Sequence, residues 1–187
     1  DLGLARDRPV WASVGALTPR KGFHLLVEAW AELPEPRPSL LLVGPDPRDR
    51  ALAAPGYAAH IERRIGELGL NGSVRLLGAH ADVARLLRGL DGFLFASQHE
   101  GLPNAVLEAL AAGLPVVSAR FEAAGDIAHV ANGRARFVAA RPRAIATALG
   151  EMPAPGVVPD GVRSLHVDVI VERYLALYRR LSPEVGR

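Results

Sequence analysis

The sequence predicts an α/β domain, a doubly wound, mostly parallel sheet with helices on both faces. Three observations lead there. Short, nearly continuous runs of Val, Leu, Ile and Phe recur along the 187 residues. Stretches with helical spacing fall between them, and the connections are short and marked by Gly, Pro or Asn-Gly. Strands buried on both faces and alternating with helices build parallel sheets.

The strands are expected at 10–17 (VWASVGAL), 39–43 (SLLLV), 74–77 (VRLL), 91–96 (DGFLFA), 115–118 (PVVS) and, more weakly, 135–139 (ARFVA). The first helix, 21–33, sets Phe23, Leu26, Ala29, Trp30 and Leu33 on one face, which makes that face core. Further helices are expected at 56–69, 82–89, 103–112 and 141–149. EMPAPGVVPDGVR (151–163) reads as a Pro/Gly linker into a terminal helix at 164–181. That helix carries a stripe of Val167, Ile170, Val171, Tyr174, Tyr178 and Leu181, read here as a packing face. Residues 1–187 make a single domain, without internal repeats or low-complexity segments.

Composition narrows the function classes. With 49% hydrophobic and 22% charged residues the chain is that of a globular protein. The net charge is only +2, and 21 arginines and one lysine are scattered, so no stripe for nucleic acid and no polybasic membrane segment is expected. The absence of cysteine excludes disulfides, thiolate metal sites and cysteine nucleophiles. The six histidines show no paired ligand spacing, and no metal is assigned. No apolar run reaches the length of a membrane span, and the expected compartment is the cytoplasm. The start at Asp1, close to the first strand, reads as a processed chain or a piece of a longer one.

In a doubly wound sheet, ligands bind at the carboxyl ends of the strands. Two loops there carry unusual residues. GALTPRKGF (15–23) is neither a dinucleotide fingerprint nor a P-loop, but it places Arg20 and Lys21 at the start of a helix. Cations there oppose the helix dipole, so the pair is either solvated on a surface turn or aimed at a bound phosphate. The second loop is SQHEGLPN, which leads from the fourth strand into AVLEALAA. Pro103 suits a first helical turn, and the amides of Gly101, Asn104 and Ala105 are free to meet an anion. The helix is apolar nearly all round and is expected to be buried, yet it contains Glu108, one turn after Asn104. A carboxylate there faces solvent, pairs with an arginine, or is satisfied by a ligand with adjacent hydroxyls such as a ribose. His99, in the loop beside Glu100, reads as solvated.

EGLPNAVLE (100–108) followed by ALAAGLPVVSA resembles the E-x7-E segment of the retaining nucleotide-sugar glycosyltransferases of group 1. VGALTPRKGFHLLVEAW and VRLLGAH…LLRGLDGFLFAS are similar to two further segments of that family, in order, over about residues 10 to 150. The resemblance is to the C-terminal, Rossmann-like, donor-binding half of a GT-B fold, whose N-terminal acceptor domain is absent from this chain.

What the resemblance implies is a nucleoside-diphosphate sugar as substrate, UDP- or GDP-linked, with no cofactor. Lys21 would bind the diphosphate and stabilise the leaving group, Glu100 would hold the transferred sugar, and Glu108 would grip the ribose. The segment Gly101, Leu102, Pro103, Asn104 and Ala105 would meet phosphate or sugar, and the backbone from Arg75 to Gly78 would border the base. The terminal helix would cross towards the acceptor half, and any peripheral membrane association would run through that half alone.

The chain departs from the family at two places. The arginine usual after the first strand's glycine is replaced by Ala16, leaving Arg20 as the candidate substitute. Asp126-Ile127 stands where the family has Glu-Ile. The first departure keeps a second reading open, a non-catalytic nucleotide-binding or interaction module on the same fold. A nicotinamide-dependent dehydrogenase shares the fold class but requires a glycine fingerprint that is lacking.

Overall fold

The computed structural model describes residues 7–45, 56–97 and 99–181. The ends of the expected domain, 1–6 and 182–187, and Gln98 of the second loop lie outside the described residues. Six strands form one sheet: β1 (Val10–Val14), β2 (Ser39–Val43), β3 (Val74–Gly78), β4 (Gly92–Phe95), β5 (Val116–Ala119) and β6 (Ala135–Val138). Their spatial order is β3-β2-β1-β4-β5-β6, and every pairing is parallel. β2 and β4, in the interior, are buried along their whole length, whereas the edge strands β3 and β6 are mostly half-buried. Position in the sheet thus explains why the apolar signal is weakest at 135–139.

The crossovers divide the helices between the faces. α1 (Phe23–Ala31) and α2 (Tyr57–Glu67) connect β1, β2 and β3 and pack on one face. There Phe23, Leu26 and Trp30 meet Leu40, Leu42 and Ile61, all essentially inaccessible to solvent. α3 (Val83–Leu87), α4 (Asn104–Ala111) and α5 (Ala124–Ala131) connect β3 to β6 and pack on the other face. Their core partners there include Leu41, Phe93 and Val116. α6 (Pro142–Leu149) returns to the first face through Ile145 and Ala148. The chain changes direction between β1 and β4, and in this architecture the ligand crevice lies at the carboxyl ends of the strands at that point.

The stretch 121–133, for which no element was expected, contains a helix, α5, with no capping side chain at its start. Two expectations need correction. The linker at 151–163 contains the short helix α7 (Asp160–Arg163), whose Val162 is 7% exposed and belongs to the core. The stripe on the terminal helix, α8 (Val167–Leu181), is not a packing face among the described residues: none of its residues is buried, and Tyr174 and Tyr178 stack on each other in the open.

Candidate active site

The loops after β1 and β4 meet at the point where the strand order reverses. After β1, Gly15 donates its N–H to Val43 across the sheet's edge, and the chain turns through a single 3-10 turn, Pro19–Lys21. Arg20 and Lys21 therefore precede α1 rather than open it. Gly22, in the left-handed region at φ 70°, separates them from Phe23. A Cβ at Gly22 would stand 2.6 Å from the Ala96 carbonyl oxygen, so only glycine lets this turn approach the end of β4.

That approach brings the charged residues together. Lys21 Nζ lies 2.7 Å from Glu100 Oε1, and Arg20 Nη1 lies 2.9 Å from the same oxygen. Arg20 also donates to the His99 carbonyl at 3.0 Å. The Ser97 hydroxyl donates to Glu100 Oε1 at 2.8 Å. The aliphatic stem of Lys21 runs beside Gly15, and its ammonium sits 5.6 Å from the centroid of the Phe95 ring, within cation–π range. Lys21 and Glu100 are largely shielded, with side chains 19% and 15% exposed, while Arg20 is open at 55%.

The electrostatics follow from this geometry. Burial pushes the Glu100 carboxyl up, but the hydrogen bonds from Lys21 and Ser97 and the charges of Lys21 and Arg20 outweigh it. The carboxyl is held below its usual range. Glu100 is thus a fixed anion with two cations on one oxygen, able to accept a hydroxyl through the other.

The remaining residues are placed as follows. Gly101 and Leu102 are exposed, Pro103 is buried and caps α4 rather than opening it, and the N–H groups of Asn104 and Ala105 begin the helix. α4 is not buried all round, which corrects that expectation: Val106, Ala109 and Leu110 are inside, while Asn104, Glu108 and Ala111 face solvent. Glu108 therefore lies on the open face of α4, one turn from Asn104, with no ion-pair partner among the described residues. Gly78 ends β3 at the ligand edge, where its carbonyl accepts from Gly44. Arg75 is near the opposite end of that strand, three residues or roughly 10 Å back, so only Gly78 of that segment belongs to the edge.

Ala16 has no side chain that reaches the cluster, and Arg20, four residues on, does. Asp126 is exposed on α5. Sequence reasoning did not mark Ser97. Its signal is modest: a serine at the end of a buried strand, three residues before the glutamate it serves.

Comparison with known proteins matches residues 8–153 to the family described as "Glycosyl transferases group 1". The lipopolysaccharide core biosynthesis glycosyltransferase LpsE of Rhizobium meliloti is 40% identical over 121 residues, 65% of this chain and 32% of that protein. Anabaena HepE, in its complex with UDP-glucose, superposes with a TM-score of 0.67 at 28% identity, over 78% of this chain and 39% of that one. Sucrose-phosphate synthase from Thermosynechococcus elongatus gives a TM-score of 0.79 at 26% identity, over 96% and 47%. The chain spans about a third to a half of the length of these proteins. It belongs to the group 1 glycosyl transferases, as the C-terminal domain of their GT-B fold.

Proposed function

We propose that this chain is the donor-binding half of a retaining glycosyltransferase, moving a sugar from a nucleoside diphosphate to an acceptor hydroxyl. The observation that carries the reading is the meeting of Arg20, Lys21 and Glu100 at the reversal of strand order. In the reaction, the acceptor oxygen bonds the anomeric carbon and gives up its proton to the departing phosphate. The bond between that carbon and the β-phosphate oxygen breaks with its electron pair staying on the nucleoside diphosphate. Lys21 and Arg20 meet that growing charge, which is the kind of stabilisation that lowers such barriers most. The diphosphate is met by these two cations and the first amides of α4, with no metal assigned. Arg20 does the work of the cation lacking at Ala16, since its guanidinium reaches the same carboxylate oxygen as Lys21. Glu100 accepts a sugar hydroxyl, and Glu108, on the open face of α4, takes the ribose hydroxyls.

The likeness to HepE, which is bound to UDP-glucose, supports a nucleotide-sugar donor. An N-terminal acceptor domain completes the cleft and covers the apolar stripe of α8. The rival reading, a binding module without turnover, rests on Ala16 alone and is weakened by the position of Arg20.

Calorimetric titration of the 187-residue chain with UDP, GDP and ADP tests the proposal. One nucleotide should bind selectively. Lys21→Ala should weaken that nucleoside diphosphate by about 1.5–3 kcal/mol while sparing the nucleoside, and Glu108→Ala should weaken both by about 1–3 kcal/mol. A folded chain that binds none of the three would refute it.

A further inference from the structure

We infer that Ser97 is a positioning residue for Glu100: its buried hydroxyl helps to occupy carboxylate oxygen Oε1, so that Oε2 is the oxygen left to hold the transferred sugar. The inference rests on the donor-site reading above and deepens it. Three donors converge on Oε1, namely Lys21 Nζ at 2.7 Å, Ser97 Oγ at 2.8 Å and Arg20 Nη1 at 2.9 Å. Among the described residues no donor is found on Oε2. A carboxylate has about four lone-pair sites, two on each oxygen, and three donors crowd one of them here. Such an arrangement selects one orientation of the side chain.

Of the three donors, Ser97 is the one that a ligand cannot claim. Its side chain is fully buried, whereas both cations are partly open and are assigned to the diphosphate. Ser97 is also rigidly placed. It follows Ala96, the residue against which Gly22 packs too closely for any Cβ. A diphosphate shares Lys21 and Arg20 with the carboxylate, whereas the serine hydroxyl serves the carboxylate alone and keeps it turned. A serine that merely closed the loop would bond to backbone, as Ser73 and Ser164 do through carbonyls three residues away. Ser97 bonds instead to the side chain of Glu100.

The test compares wild type with Ser97→Ala and Ser97→Thr, titrated with UDP and with UDP-glucose, after circular dichroism has established that each is folded. Ser97→Ala should lose roughly tenfold in affinity for UDP-glucose with UDP little changed, the loss expected for one hydrogen bond to a charged group. Ser97→Thr, which keeps the hydroxyl, should recover most of it. Equal losses for the two ligands, or none for either, would overturn the inference while leaving the donor site intact. Binding of neither ligand by wild type would bring down the donor-site reading and this inference with it. A carboxyl titration of Glu100 by NMR needs no ligand. Its midpoint should rise in Ser97→Ala, which loses the hydrogen bond that favours the charged carboxylate, and return in Ser97→Thr. An unmoved midpoint would mean that the serine bond does not hold the carboxylate.

Discussion

Lys21 has three protons to donate and gives one to Glu100 across 2.7 Å, which leaves two for a phosphate without breaking the ion pair. The pair therefore keeps the ammonium in place instead of competing with a ligand for it. Because the folded Glu100 carboxyl titrates below its ordinary value of 4.5, its charged form is favoured by folding. The resulting stability is fully present above pH 4.5 and is lost as pH falls through the lower folded value. The difference in unfolding free energy between wild type and Glu100→Gln, from urea titrations, should be largest near pH 6 and shrink towards pH 3. A difference that stays level with pH would show that Glu100 gains nothing from its neighbours. Lys21 and Glu100 were legible because each stands in an ordered motif of unusual residues. Ser97 was not, since a serine at a strand end has many ordinary uses and only the three-dimensional turn shows which one applies. Glu108 was read on a wrong premise: its helix has an open face, hidden from the sequence because alanine fills both sides.

Among the elements, β2 was read to the residue at 39–43, because burial on both faces leaves no polar alternation to blur it, whereas β1, expected at 10–17, ends at Val14, where the chain turns away through Gly15. α5 escaped because Gly125 sits in its first turn, no side chain caps it, and it is only eight residues long. α7 was hidden among prolines and glycines that signal a linker. The helix expected at 21–33 begins at Phe23, and Lys21 belongs instead to the turn at Pro19–Lys21, a boundary hidden from the sequence because the left-handed Gly22 interrupts the apolar spacing only once. That interruption is what aims Lys21 at β4. Gly22→Ala should destabilise the chain by about 2–4 kcal/mol, combining the cost of a side chain at positive φ with a clash against Ala96. Denaturant unfolding gives the number. A loss below about 0.5 kcal/mol would mean that the two loops are not held as closely as the geometry requires.

The molecule as a whole ends its core at α7, not at α8. Val162 is buried against the α5 side of the sheet, Gly161 lies against the Val130 backbone, and Gly156 donates to Gly113 at 3.0 Å. Arg134 adds a bond to the Ala154 carbonyl at 2.9 Å. Beyond that point α8 buries nothing among the described residues, and Val167 and Leu181 are 64% and 70% exposed. Doubly wound topology could be foreseen from the alternation of elements, but the end of the core could not, because an amphipathic stripe looks the same whether or not this chain covers it. The energetic consequence differs sharply between two truncations. Stopping the chain after Leu165 removes α8 and should change the unfolding free energy by less than about 1 kcal/mol, since surface segments contribute little. Stopping it after Met152 also removes Val162 and the bonds to Gly113 and Arg134, and should cost about 3 kcal/mol. Urea unfolding of the two truncated chains distinguishes these cases. Equal losses would place α8 in the stability of this domain, and would mean that its apolar stripe is covered by the chain's own surface.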